Sequence, residues 1–591
     1  MKHIRWILRF WRPHRWWLIL LIFLTLLSSA VAIGYPLIFK FLIDMLRSTL
    51  AESHPEMATS TTAKLVWMFV IIGLARSMSN FYPGVRAMIN AKLGMDIRRF
   101  YFSTIIDKGY AFFQKLRTGD LVTRLTDDIE GFPKIAWFCC SGIFRAVESS
   151  SKFIFCMAVM FSMNWKLSLL SIAPLPVMLY IFYRLRSALT QRAAQQQAII
   201  SKTNDALEAA FSGVRILKAF TAENNQAKEF RGILDERIKV EVNLTKLWMG
   251  VWQIYWGIEF LGQIIVIVAG GLMVINNTLT PGEFYAFYIY LSILLQPLMD
   301  IPQLFVSSRQ AFACIDREIE IEETKGGTES VYVGAHPLSD IDAIELRNLS
   351  FRFEPELPWA LKDISITLHR GKRVAVVGSV GSGKTTLVKV VAGLLPATEG
   401  ALLINGEPLS HWSISSYRSC VGYIPQESTL FSESVVDNIR FGRDIELDAV
   451  RESLEMAQVV DEMEMLPGGL SQVLGQKGLT VSGGQKQRLA IARALADGPQ
   501  VLLMDDVTAS LDAENERKFW ATFTHRFPDA ACLIVTHRLA TARQADVIYV
   551  LDEGRIVGKG THMELLESCE DYRNFLTRDE LKAALGLAGA A

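Results

Sequence analysis

The segment Gly378-Ser379-Val380-Gly381-Ser382-Gly383-Lys384-Thr385 spaces glycines, one cation and one hydroxyl as a phosphate chain requires. The glycines let backbone N–H groups turn inward onto phosphate oxygens. Lys384 brings positive charge to the outer phosphates, and the Thr385 hydroxyl can ligate magnesium. The apolar run 373–377 precedes the segment. Thr386 and the run Leu387-Val388-Lys389-Val390-Val391 follow, in the strand, turn, helix order of a P-loop. The chemistry is binding of ATP with Mg2+, and residues 378–386 are its candidate phosphate site.

Two further runs belong to the same chemistry. Val501-Leu502-Leu503-Met504-Asp505 reads as a buried strand ending in a carboxylate, the form that holds magnesium through its water shell. Residues 481–488, Val-Ser-Gly-Gly-Gln-Lys-Gln-Arg, open a helix, and a Ser-Gly-Gly turn at a helix N-terminus is a second phosphate site. One nucleotide does not need two such sites in one chain. Two ATP domains facing each other would use both, with Ser482, Gly483, Gly484 and Gln485 of one closing over the P-loop of the other.

The elements that carry these residues divide the 591-residue chain in two. Hydrophobic residues make up 50%, but they gather as long runs in the first half, whereas the second half from about residue 342 has the composition of a water-soluble α/β domain. Six stretches are long or apolar enough to cross a bilayer: 16–39, 63–78, 135–161, 167–183, 248–275 and 284–305. The second is the shortest and is interrupted by Arg76. The segments 91–130 and 184–246 carry many lysines and arginines, whereas the turns 162–166 and 276–282 are nearly uncharged. The positive-inside bias therefore places both long loops, both termini and the ATP domain in the cytosol. The expected organisation is a membrane domain over 1–324, a polar linker over 325–342 and an ATP domain over 343–591. Lys plus Arg and Asp plus Glu both total 61, so no net field points to nucleic acid. The seven cysteines have neither metal nor disulfide spacing and read as reduced.

At the N-terminus, Arg5, Arg9, Arg12 and Arg15 interleave with Trp6, Trp11, Trp16 and Trp17, as in a helix lying in the membrane interface. Residues 2–12 read as such an elbow. Ionisable residues at membrane depth are functional candidates by default, and Arg76, Glu259 and Asp300 qualify as lining for a substrate cavity. Arg145, Glu148 and Lys152, three and four apart, can pair locally. Pro36, Pro174 and Pro176 remove backbone bonds within apolar spans.

The order of P-loop, Ser482–Gln485 turn and Asp505 strand resembles the nucleotide-binding domain of ATP-binding cassette (ABC) transporters. With six crossings fused ahead of it, the chain resembles an exporter half-transporter of the multidrug and lipid flippase type. The resemblance implies a polytopic α-helical membrane domain followed by an α/β P-loop domain. It implies an adenine-stacking aromatic at Phe353, a glutamine at Gln426 that senses magnesium, a D-loop at Ser510-Leu511-Asp512 and a switch histidine at His537. Ala111-Phe112-Phe113-Gln114 with Thr118-Gly119-Asp120, and residues 213–220, resemble the two coupling loops. The implied activity is ATP-driven export of small amphipathic molecules by a dimer in a cell membrane.

One residue departs from the family pattern at the chemistry itself. Most active members carry Glu after the magnesium-binding Asp, to polarise the attacking water; this chain has Asp506. A carboxylate one methylene shorter, displaced by about an ångström, can cost roughly a hundredfold in rate. That favours a heterodimer in which this chain's site binds ATP and hydrolyses it poorly, whereas His537 speaks for a homodimer in which Asp506 works. Gln476 is a second departure, at a position where the family usually has Glu. An importer of metal-chelator complexes, a gating subunit that moves nothing, and a soluble ATPase are rival readings; the six apolar spans oppose the last.

Overall fold

The computed structural model describes residues 2–51, 55–324, 332, 334–475, 481–507 and 513–575. It divides into two compact units: Met1–Phe102 with Val122–Glu320, and Ser103–Leu121 with Ile321–Ala591.

The first unit is helical. Its principal helices are Arg15–Ala51, Pro55–Ser79, Tyr82–Ile106, Ile143–Met163, Leu175–Ser212, Glu223–Ile265 and Pro281–Glu323. A 43-residue helix such as Glu223–Ile265 runs about 65 Å at 1.5 Å per residue, roughly twice the hydrocarbon thickness of a bilayer. Its apolar C-terminal half matches the predicted fifth crossing, and its charged N-terminal half lies beyond that crossing. Among the described residues, four helical stretches are long and apolar enough to cross a membrane: Lys2–Arg47, Ile135–Met163, Trp165–Ser212 and Glu223–Ile275. The other two predicted crossings fall within helices Pro55–Ser79 and Pro281–Glu323.

Local chemistry sets the breaks. Asn164 caps helix Trp165–Ile172, its side-chain oxygen accepting from the N–H groups of Lys166 and Leu167 at 3.1 Å each. The chain breaks again at Pro174, ahead of helix Leu175–Ser212, where a missing N–H costs nothing in a first turn. Pro36, in contrast, lies inside the continuous helix Arg15–Ala51.

The second unit holds two sheets. Its strands are β1 (Ala343–Phe351), β2 (Leu361–His369), β3 (Arg373–Gly378), β4 (Glu399–Ile404), β5 (Glu407–Pro408), β6 (Val421–Ile424), β7 (Val501–Asp505), β8 (Ala531–Val535), β9 (Val547–Asp552) and β10 (Arg555–Gly560). β2-β1-β4-β5 form an antiparallel sheet, and β10-β9-β3-β8-β7-β6 form a sheet that is parallel except at the β10 edge. β7 and β8 are buried at every position, which is why their sequences are unbroken apolar runs without alternation. Helix Lys384–Val391 covers this sheet with Leu387, Val388, Val390 and Val391 buried. Helices Leu447–Met456, Gly483–Leu495 and Ala513–Arg526 form a second core around Leu454, Leu489, Ile491 and Phe519. All seven cysteines are free and buried.

Candidate nucleotide site

In an open parallel sheet, ligands bind beyond the carboxyl ends of the strands. The predicted residues reach that edge from neighbouring strands. The P-loop leaves β3, the pair Asp505-Asp506 ends β7, His537 follows β8, and Gln426 follows β6. Gln426 is exposed and His537 partly buried.

The loop's shape depends on glycine at two positions. Gly378 has φ = +154°, and a Cβ there would lie 2.0 Å from the carbonyl oxygen of Leu551. Gly383 has φ = +102°, and its Cβ would lie 2.5 Å from the carbonyl of Ala360. The buried Lys384 ammonium donates to the carbonyls of Gly378 (3.0 Å) and Ser379 (2.7 Å) and to Ser382 Oγ (3.3 Å), which holds it over the loop. Ser379 Oγ is tied to Asp552 at 3.0 Å. Burial pulls the Lys384 pKa below the ordinary lysine value, against the opposing charges of Asp506 and Asp505. Val380 and Gly381 form the exposed tip, and Thr386 lies in the first turn of the following helix.

Thr385 Oγ1 donates to Asp505 Oδ1 at 3.1 Å. Asp505 is buried, and its Oδ2, like Oδ1 of Asp506, has no hydrogen-bond partner among the described residues. A buried carboxylate oxygen without a donor is costly unless a cation or water serves it. The set fits magnesium: one hydroxyl and one orphaned carboxylate oxygen, the hard ligands this ion prefers. Burial also raises the Asp505 pKa above the ordinary carboxylate value.

Asp506 adds a feature that its residue type alone did not signal. Its backbone is left-handed, at φ = +52°, and its N–H donates to the Val535 carbonyl at 2.9 Å.

Phe353, two residues past the buried Phe351, is 48% exposed and meets its ring edge-on at 5.0 Å. About half of its side chain is thus open to a ligand.

The Ser482–Gln485 turn is a complete capping box. Ser482 Oγ accepts from Gln485 N–H at 3.2 Å, and Gln485 Oε1 accepts from Ser482 N–H at 2.8 Å. Gln485 Nε2 also donates to Glu462 at 2.7 Å, and Arg488 pairs with that same carboxylate. The Gln485 side chain is therefore occupied in shaping the turn, while Ser482 and Gly483 stand exposed at the helix N-terminus. Glu462 escaped sequence reasoning because nothing local links it to a helix twenty residues on. Asp512 and Gln476 lie outside the described residues.

The first coupling motif forms helix Tyr110–Lys115, within the second unit. There Phe112 is buried and Tyr110 packs against the sheet core, with Lys389 Nζ 5.5 Å from its ring. The second forms helix Val214–Ala219, whose Ile216 is 65% exposed, with flanking Phe211 and Phe220 71 and 77% exposed.

The three cavity candidates stay apart. Gln263 Nε2 donates to Glu259 (3.3 Å) and to Ser292 (3.3 Å), Asp300 accepts from Ser149 (2.9 Å), and Arg76 lies over the Tyr35 ring at 5.5 Å. No hydrogen bond or ion pair joins any two of them among the described residues. Glu148 pairs with Lys152 at 2.7 Å as expected, and also faces Arg86 at 3.8 Å.

Residues 18–298 match the family model described as ABC transporter transmembrane region, and residues 361–509 match the one described as ABC transporter. A probable multidrug resistance ABC transporter ATP-binding/permease protein of Bacillus subtilis is 32% identical over 81% of this chain and 82% of its own length. The ATP-dependent lipid A-core flippase of Methylococcus capsulatus is 28% identical over 91% and 88%. A bacterial Atm1-family ABC exporter solved with ATP bound superposes with a TM-score of 0.78 at 22% identity, over 95% of this chain and 98% of that one.

Proposed function

The chain belongs to the ABC transporters, multi-pass membrane proteins whose ATP-binding domain couples ATP hydrolysis to transport, and on that premise we propose that it is one half of a dimeric exporter of small amphipathic, drug- or lipid-like molecules. The names of the multidrug and lipid A-core relatives support that substrate class. The nucleotide-binding domain faces the cytosol. Phe353 stacks on adenine, residues 378–386 cradle the phosphates, and Thr385, Asp505 and Gln426 hold Mg2+. Ser482 to Gln485 complete the partner's site. Bound magnesium neutralises charge on the outer phosphates. Asp506 orients the attacking water, with His537 nearby.

The observation that carries the dimer is the open Ser482 turn: a helix N-terminus of the kind that suits a phosphate, with Gly483 exposed, in a domain that already has a P-loop. The exposed Phe211, Ile216 and Phe220 add an apolar surface of the kind a second subunit covers. Asp506 in place of Glu favours a different chain as that subunit, one that supplies the faster site. His537 favours the homodimer as second reading. Glu259 and Asp300 give the substrate path a preference for cationic compounds.

The test is ATP-dependent accumulation of an amphipathic cationic dye in inside-out vesicles holding this chain, alone and with candidate partner chains, beside Lys384→Ala. Accumulation that needs ATP and Lys384 supports export. Dye movement in the opposite direction, or none under any pairing, refutes it.

A further inference from the structure

The N-terminal helix Lys2–Trp11 is amphipathic, yet its aromatic face does not point to lipid. Trp6, Ile7, Phe10 and Trp11 are buried in protein. Trp6 Nε1–H donates to the Tyr101 hydroxyl at 2.7 Å and Trp11 Nε1–H to the Cys139 carbonyl at 3.0 Å. The Arg9 guanidinium lies 4.3 Å from the Phe100 ring centre, and His14 is bonded to Asp96 at 2.6 Å. The helix is thus bolted to protein by its indoles, Trp6 to helix Tyr82–Ile106 and Trp11 to the Cys139 carbonyl, and only its opposite face is left for the bilayer.

That face is basic. Ile4, Arg5, Leu8 and Arg12 share it by helical spacing and are exposed, with Arg15 and Trp16 exposed just beyond. Neither Arg5 nor Arg12 has a hydrogen bond or ion pair with the protein among the described residues, and Arg15 meets only the Trp16 ring, at 5.8 Å. No acidic residue precedes Asp44 in the sequence. The first membrane-crossing helix, Arg15–Ala51, starts where this surface ends, so the arginines stand at the depth of lipid head groups.

We propose that Arg5, Arg12 and Arg15 form a fixed binding surface for anionic lipid head groups, with Ile4, Leu8 and Trp16 seated among the adjoining acyl chains. A floating amphipathic helix would trade its aromatics for lipid. This one has its aromatics committed to protein, so its lipid contact is a charge-selective one and bears directly on helix Tyr82–Ile106.

The full chain in detergent is titrated with dioctanoyl phosphatidylglycerol and, in parallel, dioctanoyl phosphatidylcholine, and retained lipid is read by native mass spectrometry. Each arginine near an anionic head group contributes about fivefold, so the native chain prefers phosphatidylglycerol by up to about a hundredfold. The R5Q/R12Q/R15Q variant brings the two lipids to near parity while still binding ATP, and R5K/R12K/R15K keeps most of the preference. Equal retention by the native chain, or an undiminished preference in the glutamine variant, overturns the proposal. So does displacement of phosphatidylglycerol by inorganic phosphate at equal concentration, which would mark a free-anion site. Should the glutamine variant not fold, salt titration of the native chain decides: a preference insensitive to ionic strength overturns the proposal.

Discussion

The backbone N–H of Asp506 donates to the carbonyl of Val535 at 2.9 Å, joining the end of β7 to the end of β8 while Asp506 itself is left-handed at φ = +52°. Aspartate and asparagine tolerate this conformation better than longer side chains do. The position that departs from the family pattern is therefore also one where the backbone suits the shorter carboxylate.

Asp506→Glu tests both sides of that relationship. The longer carboxylate reaches the attacking water, so hydrolysis by the chain alone in lipid rises at least about tenfold. The left-handed backbone costs the longer residue about 1 kcal/mol, which lowers the domain's Tm by roughly 2–4 °C. An ordinary native rate with no gain from Glu would make Asp506 a working catalytic residue and favour the homodimer. Asp506→Asn keeps the fold and ATP binding and loses hydrolysis.

Much of this site was legible as sequence because unbroken apolar runs followed by a glycine or an aspartate mark buried parallel strands and their carboxyl ends. The P-loop after β3 and Asp505 after β7 both followed from that pattern. The left-handed Asp506 did not, since its φ depends on where β8 ends, thirty residues on. Nor did the grouping of Ser103–Leu121 with the second unit, which rests on the packing of Tyr110 and Phe112. The interleaved N-terminal arginines and tryptophans were legible as an interfacial helix, but that protein covers Trp6 and Trp11 depends on Tyr101 and Cys139, which no local pattern reveals.

Asp505→Asn separates metal binding from stability. The folded pKa of Asp505 is raised by burial, so its ionised form is a cost that grows as pH climbs through that value. Without magnesium, the variant is more stable than the native chain, and the gap widens from acidic to neutral pH and then levels. With magnesium the order reverses for ATP binding, because the variant loses the metal's contribution to affinity. Chemical denaturation in EDTA across pH, beside nucleotide titration with and without Mg2+, reads both. A gap that narrows as pH rises would contradict the burial argument.

The cysteines offer a check on the core. Cys532 sits in β8 with its thiol pKa pushed up to about 12 by burial, so it stays protonated and inaccessible at neutral pH. Maleimide leaves it unmodified in the native chain, raising the pH from 7 to 9 does not change that, and denaturation exposes it. Fast native labelling at Cys532, read by peptide mass spectrometry, would mean that β8 is not the buried central strand that positions His537.

At Ser482 the capping and phosphate roles can be told apart, because Asp caps a helix as well as Ser does but carries a negative charge. Ser482→Ala loses the hydroxyl that accepts from Gln485 N–H and costs about 1 kcal/mol of stability. Ser482→Asp keeps the cap and native stability, yet sets a carboxylate where a partner's outer phosphate would sit, so hydrolysis falls to background while binding at the chain's own P-loop persists. The pair of variants is read by thermal melting, nucleotide affinity and ATPase rate together. Full ATPase activity in Ser482→Asp would confine the turn to a structural role and remove the main support for a composite site closed by a second subunit.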